Sequence, residues 1–125
     1  MEEDVKRKLA ADADGLLTYE YIANHIESVE PDLPWLVENM ERVDLSGQFV
    51  ISAARYLFAI DPALFAPHID RLIKAGIEKD RERRYLGDML MQMYGPDYAE
   101  HAEELSKTDD NFRRIYKRLY PSSVI

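Results

Sequence analysis

Apolar residues recur along the chain every three or four positions, in blocks set apart by glycine, proline and aspartate. That spacing marks one face of an α-helix. Val5, Leu9 and Ala13 define a first block over 2–14, which Gly15 is placed to stop. Tyr19, Ile22, Ala23, Ile26 and Val29 define a second, with Thr18 as its expected cap. Proline fits a helix's first turn and not its interior, so Pro31 and Pro34 admit a new helix only near Asp32 or Leu33. Leu36, Val37, Met40 and Val43 form its face, and Asp44 to Gly47 reads as a turn. The next helix runs from Ser46 or Gly47 to Ile60, with Phe49, Val50, Ala53, Ala54 and Leu57 inward. After Asp61-Pro62 comes a helix that Gly76 is expected to close, with Pro67 imposing a kink or a late start. Glu78 to Tyr94 reads as one long helix with Leu86, Met89, Leu90 and Met93 on its face, broken by Gly95-Pro96. A short helix over 97–106 and a last one over 110–120 follow, the latter capped by Thr108 or Asp109 and burying Phe112, Ile115, Tyr116 and Leu119. No segment alternates with period two. The pattern predicts an all-α fold of about 7–8 helices without a sheet, in antiparallel neighbours joined by short turns.

One order of residue types recurs within these helices: apolar, two spacers, His or Asn, apolar, acid, one spacer, apolar. The copies are Leu36, Asn39, Met40, Glu41, Val43, then Phe65, His68, Ile69, Asp70, Leu72, then Tyr98, His101, Ala102, Glu103, Leu105. They begin 29 and 33 residues apart, a spacing typical of stacked helix pairs. The chain thus reads as one domain over 1–125: an N-terminal pair or cap at 1–30, repeats at 31–60, 61–94 and 95–121, and a loose tail at 122–125. The expected architecture is a right-handed stack of antiparallel helix pairs, an α-α superhelix. Helices near 33–43, 63–75 and 97–106 should share one side, and Leu57, Leu90 and Leu119 should be equivalent core positions.

The pairs resemble HEAT and armadillo repeats, in which the first helix often carries a proline, an Asp sits near the turn, and an Arg opens the second helix. Pro67, Leu72, Ile73, Asp80, Arg84 and Leu90 carry the resemblance in one copy. Leu105, Asp109, Phe112, Arg113 and Leu119 carry it in the next. An earlier copy has Asp44, Val50, Ala53, Ala54 and Leu57, with Ile51 where the Arg would stand. The likeness spans roughly residues 31 to 120. Tetratricopeptide repeats are the second resemblance, through Leu86-Gly87 and Ala99, though Glu103 and Ser106 depart from that pattern. A HEAT-like repeat implies a non-catalytic protein-binding module whose second helices line a concave surface.

Charge sharpens this picture. The chain of 125 residues carries a net −8. Residues 1–60 hold 12 acids and 5 bases, whereas 61–125 hold 12 and 11, so only the C-terminal half can present a basic face. There Lys79, Arg83 and Arg84 stand 34 residues before Arg113, Lys117 and Arg118. With Tyr85, these are the candidate residues for a partner or an anion. A protein partner is the leading reading, and a nucleic-acid or phosphate ligand bound by the basic stripe is the alternative. The interleaved Asp80, Glu82 and Asp88 favour a salt-bridged, solvated face over either. His25, His68 and His101 lack tight metal-ligand spacing and read as boundary residues hydrogen-bonded across the stack. The absence of cysteine excludes disulfides and thiolate chemistry. No nucleophile elbow or phosphate loop is present, so neither catalytic residues nor a metal or other cofactor is expected. No apolar run is long enough to span a membrane, and MEEDVKRK lacks the apolar stretch of a signal peptide. The expected location is the cytoplasm; the oligomeric state is left open.

Overall fold

The structure, a computed structural model, describes residues 1–122. It contains eight α-helices and, among the described residues, no strand. They are α1 (Glu3–Ala10), α2 (Leu16–Asn24), α3 (Leu33–Val43), α4 (Gln48–Ile60), α5 (Ala66–Lys79), α6 (Met89–Tyr94), α7 (Ala102–Thr108) and α8 (Asp110–Leu119). Single 3-10 turns at Glu30–Asp32, Leu86–Asp88 and Tyr98–His101 lead into α3, α6 and α7. None of these helices is long and apolar enough to cross a membrane. Of the expected tail, Ser122 lies in an exposed turn and 123–125 fall outside the described residues. Pro34 and Pro67 both sit in the first turn of their helices, where an amide would have no helical partner. Pro67 therefore sets a late start and not a kink.

Four turns share one device. Each first helix of a pair ends near an aspartate whose carboxylate accepts backbone N–H groups at the start of the second helix. Asp44 receives Gly47, Phe49 and Val50, each at 2.9 Å. Asp80 receives Arg84, Tyr85 and Leu86, each at 2.8 Å. Asp12 receives the Thr18 amide and hydroxyl at 2.9 and 2.7 Å. Asp109 receives Phe112 and, at 2.7 Å, the Tyr94 hydroxyl. Asp12, Asp44 and Asp80 are buried, and these bonds replace the water that an ionised carboxylate would otherwise keep. Three residues after these three aspartates the chain turns left-handed, at Gly15 (φ 105°), Gly47 (φ 91°) and Arg83 (φ 59°). The glycines also meet the next turn closely. A Cβ on Gly15 would lie 3.2 Å from Asp44 Cβ, and one on Gly47 would lie 3.2 Å from the Asp80 nitrogen.

This device overturns three expectations. Asp80 is the C-cap of α5, and the chain from Asp80 to Tyr85 is a loop, so no helix spans 78–94. Gly76 does not close α5 but lies inside it, where a Cβ would fall 2.6 Å from Ile51 Cγ1 on α4. Its missing side chain lets those two helices approach. Thr18 sits within α2 and does not cap it, because its hydroxyl is held by Asp12.

The core runs continuously through α3, α4, α5, α6 and α8. Leu57 and Leu90 are fully buried within it, while Leu119 is half-buried at its edge. α1, α3 and α5 pack in succession, as do α2, α4 and α6, with α4 also lying along α5. In the last pair it is α8, not α7, that packs on α5. The reason is compositional: α7 buries only Ala102, whereas α8 buries Phe112 and Ile115. Ion pairs follow the same path, from Glu41 of α3 to Arg71 of α5, and from Asp70 of α5 to Arg114 of α8. Glu41 and Asp70 are the acids of the recurring residue order.

Candidate binding groove

The seven candidate residues fall into two groups. Lys79, Arg83, Arg84 and Tyr85 do not lie on a second helix, because the Asp80 cap holds 80–85 as a loop. Lys79, Arg84 and Tyr85 line a cleft of about 240 Å3 beside Ser46. Lys79 is committed to the Glu41 carbonyl at 2.6 Å, and Arg84 pairs with Glu82. Arg113, Lys117 and Arg118 do lie on a second helix, α8. They line a groove of about 510 Å3 against Lys74, Ile77 and Glu78 of α5. Arg118 also reaches the loop that holds the first group, its guanidinium donating to the Arg81 carbonyl at 2.8 Å.

The groove has an apolar floor at the half-buried Ile77 and a charged rim. Lys74 pairs with Asp70 at 3.0 Å, and Arg113 and Arg114 both pair with Asp110. The hydrogen bond from Arg113 holds the Asp110 carboxyl below the usual carboxylate range, against slight desolvation, with the charges of Arg114, Arg113 and Lys74 adding to it. Arg118 meets a carbonyl only, and among the described residues Lys117 has no ion-pair partner. Five bases thus face three acids, Asp70, Glu78 and Asp110, an excess of two positive charges. Lys74 and Arg114 were not among the sequence candidates. Arg114 and Arg118 are four apart, as are Arg113 and Lys117, so two basic rows on one helix were the available signal.

The other candidate features resolve into packing. His25 stacks on Tyr21 and bonds the Tyr21 carbonyl of its own helix. His101 is exposed beside Asp97 at 3.4 Å. Burial lowers the pKa of His68, with Glu30 opposing and Arg71 adding to the shift. The cross-pair bridge expected of the histidines belongs instead to Asn39, which donates to the Leu9 carbonyl and to Thr18 Oγ1 at 2.8 and 3.1 Å. Asp97, Glu100 and His101 converge on one exposed turn, within 4.8 Å of one another. Tyr94, Tyr98 and Tyr116 surround Phe112 as the rim of the core. The hydrogen bond with Tyr120, and then burial, push the Tyr98 hydroxyl up to about 12.

No family model, curated protein or solved structure matches the chain.

Proposed function

We propose that the chain is a small, non-catalytic, HEAT-like helical-repeat module of the cytoplasm that binds a protein partner, and that an acidic segment of the partner lies in the α5/α8 groove. The repeat reading draws support from the turn aspartates and from the successive packing of α1, α3, α5 and of α2, α4, α6. The observation that carries the binding reading is the groove's excess of positive charge over an apolar floor, in a chain of net −8. Such contrast steers an acidic partner and fixes its register. A nucleic acid fits less well. Its repeated phosphates would lie against Asp70, Glu78 and Asp110, whereas a peptide needs to place only one or two carboxylates, beside Lys117 and Arg118.

Capture of a partner from native lysate, with and without nuclease, tests the class, and titration of that partner against Lys117→Glu tests the groove. Lys117 is exposed and, among the described residues, without an ion-pair partner, so the variant should fold with stability within ~0.5 kcal/mol of the parent. Binding should survive nuclease and weaken about tenfold in the variant. Loss of capture on nuclease treatment would favour the phosphate reading. Unchanged binding by the folded variant would place the site elsewhere.

A further inference from the structure

A second groove has α4 as its floor and α2 and α6 as its walls. α4 packs on α2, α3, α5 and α6, burying Val50, Ala53, Ala54 and Leu57. The strip left uncovered carries Ser52, Arg55, Tyr56 and Ala59, the spacing of one helical face. Tyr19 of α2 and Met93 of α6 flank it, enclosing about 540 Å3. Tyr19 and Tyr56 meet edge-on, their ring centroids 6.3 Å apart.

Arg55 is the one charged residue in α4. It is half-buried, and among the described residues it has neither an ion pair nor a hydrogen bond. Among the described residues no carboxylate lines this groove, although the chain carries 24 acids. A cation partly withdrawn from water and lacking a counter-charge gains most from an incoming carboxylate. Tyrosine, arginine and methionine are also the residue types enriched where partners bind. A second copy of the chain, meeting this face about a two-fold axis, would present the same lining and, among the described residues, no acid for Arg55.

We infer that this groove docks a short segment of a partner protein in which an aromatic or aliphatic side chain adjoins an Asp or Glu. The apolar side chain rests on Tyr19, Tyr56 and Met93, and the carboxylate pairs with Arg55. The site is distinct from the α5/α8 groove and does not depend on it.

The test begins with a random heptapeptide library displayed on phage and selected against the full chain. The enriched peptide is then synthesised with a fluorophore and titrated by fluorescence polarisation. The expected consensus places an apolar residue next to an acid. Replacing that acid by its amide should weaken binding about tenfold, as should Arg55→Gln, while Arg55→Lys should retain part of the affinity. Lys117→Glu should leave it unchanged. The amide change in the peptide needs no protein variant, so it reads the pairing even if Arg55→Gln unfolds. Backbone amide shifts on the unaltered protein should move at Tyr19, along 52–59 and at Met93. Three results would each overturn the proposal: a selection without an apolar–acidic consensus, affinity indifferent to the peptide carboxylate, or shifts confined to α5 and α8.

Discussion

Gly76 sets two effects against each other, and the geometry of α4 and α5 decides between them. In a helix interior alanine is favoured over glycine by about 1 kcal/mol. A methyl at position 76, however, would lie 2.6 Å from Ile51 Cγ1 and 3.2 Å from Ile51 Cδ1. Ile51 is 1% exposed and β-branched, so it has no easy rotamer to swing into. Overpacking of this kind costs about 1–3 kcal/mol. The clash should match or outweigh that gain, and Gly76→Ala should destabilise the protein by up to about 2 kcal/mol. Ile51→Ala removes both clashing atoms, at its own cost of about 2–5 kcal/mol. In that background a methyl at position 76 meets Val50 Cγ2 at 3.8 Å, an ordinary contact, and Gly76→Ala should stabilise by about 1 kcal/mol. The two substitutions should therefore couple by about 1–3 kcal/mol. Urea unfolding of all four proteins, followed by far-UV circular dichroism, measures the cycle. If Gly76→Ala stabilises the parent protein, or changes stability equally in both backgrounds, the close approach at this point does not control the packing of α4 on α5.

Two further outcomes follow from the turns. Arg83 holds a left-handed conformation that costs a non-glycine residue about 1–2 kcal/mol, part of which glycine's greater freedom in the unfolded chain offsets. Arg83→Gly should stabilise by about 0.5–1 kcal/mol in the same melts, and a loss of stability would contradict this. For Asp12, burial raises the carboxyl pKa, but bonds from the Thr18 hydroxyl and amide and from the Gly15 and Asp14 amides outweigh it and leave the value depressed. The resulting stabilisation is complete above the unfolded value of about 3.9 and lost as pH falls through the folded value. Compared at pH 6 and at pH values stepped downward from about 4, the stability gap between the parent and Asp12→Asn should narrow on acidification. A gap that widens would refute it.

Most helices were legible because the core faces repeat at 3.6 residues. α3, α4 and α8 start and stop close to where their apolar positions and prolines place them. The stretch from Glu78 to Tyr85 misled because its lysine, glutamate and arginines are all good helix formers, and an apolar face begins only at Leu86. Asp12 and Asp44 each precede a glycine by three residues, but Arg83 stands in the third such place and hides the turn. The bases of α8 were visible as rows. Their setting was not, because α7 has no apolar face for α5 and only packing shows α8 taking that position. Arg55 escaped notice inside a helix that reads as almost wholly apolar, and its interest lies in having no counter-charge among the described residues, which a linear pattern cannot reveal. Asn39 was grouped with the histidines by position, yet its neighbours across the pair, Leu9 and Thr18, give it a different task.

Arg83 also marks a change in how one turn meets the next. Gly15 offers bare backbone to the turn at Asp44, and Gly47 offers the same to the turn at Asp80. Each seat exists only because no Cβ fills it. The third turn carries a side chain in that place, and beyond it the packing changes, with α8 and not α7 lying on α5. Glycine at 15 and 47 thus lets one turn rest directly on the next, a seat that any larger residue at either position would push apart.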